Sequence, residues 1–471
     1  MTRAAPKAGR WRVHAGERRL LLLFGDLVAA SLATLAALAL WAESDWLGFT
    51  GDFVRSRAAW FLLLPPAWVL LMVNQYDVHR AASWRETWRG VLLTAGVGLM
   101  LYLVVYFTSD PRSLPRRGVM YFLVLVSLLT LLWRWIYVRV FTAPAFLRRV
   151  VVAGAGLSGR TLLGVLRDTS PRPFHLVGLI DDDPGKQGMV IEGSPVLGES
   201  SRLLEVAERE EVAEIIVAIT GKMQGAMFQA LLDAQERGVE ITRMPVVYEE
   251  LLGRVPIRHL ESDWLLRSFV DELRVSGVYL VIKRLIDILG AMAGLAGFLA
   301  VLPWVAIGIL VESGRPVFFR QLRLGQGGRL YSVLKLRTMR QDAEADGLAH
   351  WASEGDPRMT RVGGLLRKMH LDEFPQFWNV LKGEMSLVGP RPERPELVAE
   401  LEKQIPFYRA RLLVKPGVSG WAQINYGKGA SVEGSAEKLE YDLYYIKHRG
   451  LWMDIWIILR SIGSIFGLRG V

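Results

Sequence analysis

The chain has 471 residues, 51% of them apolar and 16 of them Trp, with a net charge of +10 and no cysteine. That length allows two or three domains, and the missing thiol excludes disulfides, Cys-ligated zinc or iron–sulfur clusters and a cysteine nucleophile. The basic excess suits phosphorylated substrates or anionic lipid, and apolar blocks before residue 142 and near 288–311 favour both over nucleic acid.

Four apolar runs, 20–42, 58–73, 91–107 and 119–141, predict transmembrane helices; each is near the ~20 residues a crossing needs, the second being short. Asp26 near the start of the first sits at the interface or pairs with a neighbouring helix. The first run is too long for the h-region of a cleavable signal peptide. Arg3, Lys7, Arg10, Arg12, Arg18 and Arg19 precede it, while the first loop sets Arg55 and Arg57 against Glu43, Asp45 and Asp52. The second loop carries Arg80, Arg85 and Arg89, and the fourth run exits at Arg139, Arg148 and Arg149. The positive-inside rule then places the N-terminus and everything after Phe141 in the cytoplasm, with four crossings between.

Residues 148–265 read as a Rossmann-like α/β domain, with strands at 149–153, 175–180, 215–219 and 239–242 separated by helical patterns. Gly154-Ala155-Gly156-Leu157-Ser158-Gly159 follows the first strand, and Asp181 ends the second. Gly154, Gly156 and Gly159 would let the backbone approach a pyrophosphate at a helix N-terminus, with Asp181 as the accompanying acid. The same glycines would equally serve a bare strand–helix turn. No residues for hydride chemistry lie beside them, so a dinucleotide or other nucleotide here would be regulatory or vestigial.

A linker is expected over 266–276 and a last α/β domain over 277–471, which leaves 1–147 as the four-helix region. Residues 288–311 carry no charge, and both flanks are basic: Lys283 and Arg284 before, Arg315, Arg320, Arg323 and Arg329 after. That symmetry disfavours translocation, and Pro303 kinks a helix. A helix that enters the cytoplasmic leaflet, bends near Pro303 and returns fits both observations; a plain spanning helix is the alternative. Residues 451–460 predict an interfacial amphipathic helix or a buried core helix.

Between these segments the chain is dense in Gly, Arg and Lys. Phe319-Arg320-Gln321 leads to Arg323 and the Gly325–Gly328 loop, and Lys335 and Arg337 alternate with apolar residues as on a strand with one basic face. Arg358, Arg361, Arg367 and Lys368 precede Leu371-Asp372-Glu373-Phe374-Pro375-Gln376. Gly389-Pro390-Arg391-Pro392 and Lys415-Pro416-Gly417 follow. Adjacent carboxylates among guanidiniums can handle a diphosphate: one attacks phosphorus, the other holds a divalent metal, and the arginines neutralise phosphate oxygens. Asp342, Glu344 and Asp346 read as a solvated helix face, and the Tyr331/Lys335 spacing as chance.

This run, over residues 277–471, closely resembles the bacterial sugar transferase family, the monotopic phosphoglycosyl transferases. With its helical N-terminus and Rossmann-like middle, the whole chain resembles their long members, which initiate capsule, exopolysaccharide and O-antigen synthesis. The resemblance implies transfer of a sugar 1-phosphate from a UDP-sugar to polyprenyl (undecaprenyl) phosphate with release of UMP. By similarity, Asp372 is the nucleophile of a ping-pong reaction through an aspartyl-phosphosugar, and Glu373 helps bind Mg²⁺. Arg367 is a phosphate contact, Pro390-Arg391-Pro392 the nucleotide-side motif, and Lys335, Arg337 and Arg411 further basic positions toward substrate. The family's setting is the bacterial inner membrane, with the active site on the cytoplasmic face. Leu302 and His370 depart from its pattern, each standing where many members have a hydroxyl residue. A homodimer is expected, and no nucleic acid. Two other classes stay open: a membrane-anchored nucleotide-sugar dehydratase or epimerase, which would need a second nucleotide-binding loop that is not found, and a non-enzymatic nucleotide-sensing assembly protein.

Overall fold

The computed structural model describes residues 15–44, 48–76, 81, 84–108, 116–141, 147–169, 172–259, 276–340, 358–427 and 431–465. Two compact units divide the chain, Met1–Met244 and Pro245–Val471.

The first unit opens with helices α1 (Ala15–Ser44), α2 (Gly51–Leu71), α3 (Trp84–Thr108) and α4 (Arg116–Phe141), one on each expected apolar run. Among the described residues, α1 over Glu17–Ser44 and α4 over Gly118–Val140 are long and apolar enough to cross a membrane, and α2 contributes the shorter apolar stretch Leu62–Leu71. Polar side chains tie the helices together. Arg134 of α4 donates to Asp26 of α1 at 2.6 Å and 3.2 Å, and to the Gln75 carbonyl at 2.8 Å. Trp68 of α2 donates to Thr130 at 3.1 Å. A charge in an apolar helix is costly unless paired, so Arg134 is why Asp26 is tolerated there.

The same unit continues as a six-stranded sheet in the order β3-β4-β2-β1-β5-β6. Its strands are β1 (Arg149–Ala153), β2 (His175–Ile180), β3 (Val190–Ile191), β4 (Ser194–Gly198), β5 (Glu214–Val217) and β6 (Glu240–Arg243). All pairs are parallel except the β3–β4 hairpin. Helices α5 (Leu157–Asp168), α6 (Leu203–Arg209) and α7 (Gly225–Glu236) supply the crossovers. Behind a charged first residue, Arg149 in β1 and Glu214 in β5, both strands are buried, which is why the remainder of each reads as an apolar run. The two later expected strands appear one or two residues displaced. The β3–β4 hairpin was hidden in the sequence by its shortness and by Gly193 and Pro195.

The second unit takes in residues from Pro245 onward, including most of helix α8 (Met244–Leu252). The expected linker lies outside the described residues except for Ser276, whose hydroxyl caps helix α9 (Gly277–Ser313) by accepting from Val278 N at 3.2 Å. Helix α9 runs unbroken through Pro303 for 37 residues, about 56 Å at 1.5 Å per residue. It is also apolar and long enough to cross a membrane. After it come an antiparallel ribbon of β7 (Phe318–Leu324) and β8 (Leu330–Leu336), helices α10 (Arg361–Lys368) and α11 (Gln376–Lys382), and strand β9 (Ser386–Val388). Helix α12 (Pro395–Gln404) precedes strand β10 (Gly417–Ser419), which pairs in parallel with β9. Helices α13 (Trp421–Asn425), α14 (Val432–His448) and α15 (Leu451–Ile465) close the unit.

Its main core gathers Leu439, Leu443, Tyr445 and Ile446 of α14 and Ile457 of α15 around Val388, Val398, Leu401 and Tyr408. Helix α9 is fastened to this unit along its whole length. Lys283 donates to Asp454 of α15 at 2.9 Å and to the Val388 carbonyl at 3.2 Å. Asp287 accepts from Ser386 Oγ at 2.9 Å and Leu387 N at 2.8 Å. Gly290 and Gly294 permit close packing: a Cβ on either would come within 2.5 Å of Leu387 or Phe377. Helix α15 buries Asp454 and Ile457 while Trp452 stays exposed, so one face is core and the other is free.

Candidate active site

Asp372 and Glu373 sit on a single 3-10 turn, Leu371–Glu373, between α10 and α11. His370 enters it in the left-handed conformation, at φ 56°, and Pro375 starts α11. The turn is anchored by its apolar members. Leu371 and Phe374 pack on Phe298 and Ile309 of α9, with Leu336 and Leu366, and Phe374 meets Phe377 edge-on at 5.5 Å between ring centroids. Apolar residues flanking an acidic pair thus fix its backbone against the long helix.

The two carboxylates have opposite surroundings. Glu373 accepts from Lys335 Nζ at 2.8 Å, and from Arg391 Nη2 at 2.5 Å and Nη1 at 3.3 Å. Burial alone would raise its pKa, but Arg391 and Lys335 outweigh burial and hold it well below the usual glutamate range. Asp372 is buried, and among the described residues neither a hydrogen bond nor an ion pair ties its carboxylate down. Burial, then the negative charge of Glu373, push its pKa up, against the pull of Lys335, Arg367 and Arg391. Burial lowers the pKa of Lys335 despite its partner Glu373. A glutamate whose anion two cations favour, next to an aspartate without such partners, is an arrangement that separates a holding role from a reacting one.

Lys335 reaches the pair from β8, and Arg391 from the loop after β9. Arg367 stands on α10, where its Nε donates to Thr338 Oγ1 at 3.0 Å; its charge acts on Asp372. Pro390 and Pro392 flank Arg391 and shape the loop. Gly389 and Gly417 bring this loop against the strand start of β10: a Cβ on Gly417 would lie 2.1 Å from Gly389 N. Two of the expected substrate residues point elsewhere. Arg337 is buried and donates to the carbonyls of Ser313, Gly314 and Arg315, closing the C-terminus of α9. Arg411 is buried against Asp442. Asp442 and Asp287 were given no role from the sequence, and Arg323 only a place in the basic run. Asp442 had a signal: with Leu439, Leu443 and Ile446 it falls on the apolar stripe of α14, where an acid needs a partner.

In the first unit, Gly154 has a φ of 107° and Gly159 approaches the Gly154 carbonyl so closely that a Cβ would lie 2.2 Å from it. The expected acid is spent locally. Asp181 accepts from the amides of Ala155 at 2.6 Å and Asp183 at 2.9 Å, and from Lys186 at 3.3 Å. Burial would raise its pKa, but these donors lower it. Gly156 faces open space. Asp342, Glu344 and Asp346 lie outside the described residues.

Among the described residues there is no cluster of three or more metal-ligating side chains. Fold and site therefore define a membrane-associated protein with an α/β domain and a carboxylate pair set among cations. The comparisons with known proteins refine that class. Residues 278–467 match the model of the family described as bacterial sugar transferase, and residues 72–245 that of a CoA-binding domain. A UDP-glucose:undecaprenyl-phosphate glucose-1-phosphate transferase of Escherichia coli (strain K12) is 33% identical over 67% of this chain and 67% of its own length. One from Xanthomonas campestris pv. campestris is 32% identical over 59% of this chain and 58% of its own. A UDP-N-acetylgalactosamine-undecaprenyl-phosphate N-acetylgalactosaminephosphotransferase of Aeromonas hydrophila is 42% identical over 49% of this chain and 54% of its own. The chain belongs to the bacterial sugar transferase family. It spans little more than half the length of the Aeromonas and Xanthomonas relatives.

Proposed function

We propose that the chain transfers a sugar 1-phosphate from a UDP-sugar to polyprenyl phosphate at the cytoplasmic face of the bacterial inner membrane, in the first membrane step of polysaccharide synthesis. The observation that carries this reading is the division of labour in the acidic pair: Glu373 is bridged by Lys335 and Arg391, and Asp372 beside it is left uncommitted. A carboxylate oxygen of Asp372 attacks the sugar-bound phosphorus of the donor. The phosphoanhydride bond breaks and UMP leaves with the electron pair. An oxygen of polyprenyl phosphate then attacks the same phosphorus, the bond to Asp372 breaks, and the aspartate returns as carboxylate. Arg391 and Arg367 are placed to neutralise the phosphate oxygens as charge shifts toward the leaving UMP.

A divalent cation such as Mg²⁺ fits this donor set. Hard cations of this kind are held by one or two carboxylates plus substrate phosphates, and Glu373 would supply a carboxylate. When bound, the ion would screen the diphosphate against the incoming aspartate. Lys335 and Arg391 keep Glu373 ionised and ready to serve it.

We further infer that residues 1–147 anchor the chain with four crossings, that 148–265 form a cytoplasmic nucleotide-binding or vestigial domain, that 277–471 carry the chemistry, and that the chain acts as a homodimer. In this reading α9 re-enters the cytoplasmic leaflet and does not cross. Support comes from its packing: Lys283, Asp287, Gly294, Phe298 and Ser313 all meet the same polar unit, from one end of the helix to the other. The opposite face offers Leu285, Leu289, Met292, Leu299, Trp304 and Val311 to lipid.

The test is UMP release from a panel of UDP-sugars by the full chain in nanodiscs with undecaprenyl phosphate and Mg²⁺. Release with one donor, lost in Asp372→Asn at unchanged melting temperature, is the expected result; near-wild-type turnover in that variant would refute the covalent route.

A further inference from the structure

The loop that carries Arg391 contains two prolines, so it lacks two of the amides that a sheet would use. It is held instead by its carbonyls, gripped from β7, from β10 and from the 3-10 turn Tyr408–Leu413. Gly417 N donates to the Pro390 carbonyl at 2.9 Å, and Leu324 N to that of Glu393 at 3.1 Å. Between these backbone contacts, two guanidiniums take the remaining carbonyls. Arg411 Nη2 donates to Arg391 O at 3.1 Å, and Arg323 Nη1, from β7, donates to Pro392 O at 3.1 Å.

Arg411 is itself locked. Its Nη2 also donates to Asp442 Oδ2 at 2.8 Å and its Nη1 to the Tyr408 hydroxyl at 2.8 Å. The Arg411 and Asp442 side chains are only 5% and 1% exposed. A guanidinium so committed has no face left for a phosphate. Its chemistry is to hold backbone, and the backbone it holds belongs to the residue that grips Glu373.

We propose that Arg411, fixed by Asp442, and Arg323 are positioning residues that clamp the Arg391-Pro392 backbone and so keep the Arg391 guanidinium on Glu373. The role rests on the reading of Asp372 and Glu373 as the reacting pair. The clamp works because a planar guanidinium with several fixed donors imposes direction as well as charge, which a lysine does not. Glu393, 3.6 Å from Arg411 and 3.9 Å from Arg323, lies between the two and balances them.

Two readouts on the full chain in nanodiscs test this. The first is hydrogen–deuterium exchange of residues 388–394, which does not depend on the reaction. Asp442→Asn and, separately, Arg411→Lys should raise exchange there while the melting temperature stays near wild type in at least one of them. The second is a double-mutant cycle on UMP release. Asp442→Asn should lower kcat/KM about tenfold in the wild-type background and by less than about twofold once Arg391→Ala has removed the group being positioned. A residue that merely supports folding would cost the same in both backgrounds. Unchanged exchange in both variants, or equal costs across the cycle, overturns the clamp. If the wild-type chain releases UMP from no donor, it is the proposed reaction that falls, and the clamp is then decided by exchange alone.

Discussion

Asp372 and Glu373 are neighbours in the chain with opposite electrostatics, and that contrast can be measured. Burial and the Glu373 charge raise the pKa of Asp372, so it takes up a proton at a higher pH than an exposed aspartate, for which ~3.9 is usual. A nucleophile must be ionised, so kcat/KM for UMP release should fall on acidification with an acid limb above that value. Glu373→Gln removes the like charge and frees Lys335 and Arg391 to favour the Asp372 anion. Its residual activity should therefore show the acid limb displaced to lower pH, together with a weaker response to Mg²⁺. A limb that stays in place would mean that another group controls it. At this scale the structure brings together residues that the sequence sets apart, Glu373 of the Asp372-Glu373 pair with Lys335 and with Arg391 of Pro390-Arg391-Pro392. The sequence was not legible for Arg337 and Arg411, because a buried arginine that meets a carbonyl looks the same in sequence as one that meets a phosphate. Only the positions of Ser313 and Arg391 in space tell them apart.

Among elements, α14 joins the site to the segment at 245–259. Its Asp442 fixes Arg411, and its Glu440 meets the Tyr248 hydroxyl at 3.3 Å and Arg254 at 3.4 Å. Glu249 takes Lys447 at 3.1 Å and His448 at 3.0 Å. Burial pushes the Glu440 pKa up to about 7, in spite of Arg254. A raised carboxyl pKa means that the folded state prefers the proton. The stability this group contributes is then full below its unfolded pKa, near 4.3, and is lost as pH rises through about 7. In full-length protein, thermal unfolding followed between pH 5 and 8 should show a falling melting temperature, and Glu440→Gln should flatten the slope. An identical slope in the variant would assign the pH dependence elsewhere. Element positions were legible from hydropathy and Gly/Pro punctuation. The ties between them, such as Lys283 to Asp454, were not, since their partners lie far apart along the chain.

For the whole molecule, the open quantity is which side of the membrane each end of α9 faces. Hydropathy cannot decide it: the same apolar run of residues suits a spanning helix and a re-entrant one. The packing bears on it more directly. Asp287 near one end holds Ser386, Arg337 just past β8 holds the carbonyls at the other, and β8 and β9 belong to the same unit. A helix with its two ends in opposite aqueous compartments would carry one of these strands through the bilayer with unpaired edges, which hydrocarbon does not tolerate. Since the chain has no cysteine, single cysteines at Ser276 and Gly314 give an unambiguous readout with a membrane-impermeant thiol reagent. Both positions should stay unlabelled from outside in intact spheroplasts and react in inverted membrane vesicles. Labelling of Gly314→Cys from outside, with Ser276→Cys silent, would make α9 a crossing and would move the Asp372 site to the far side from any cytoplasmic UDP-sugar. Opposite-side labelling would therefore overturn the placement of the reaction as well as the topology of the helix.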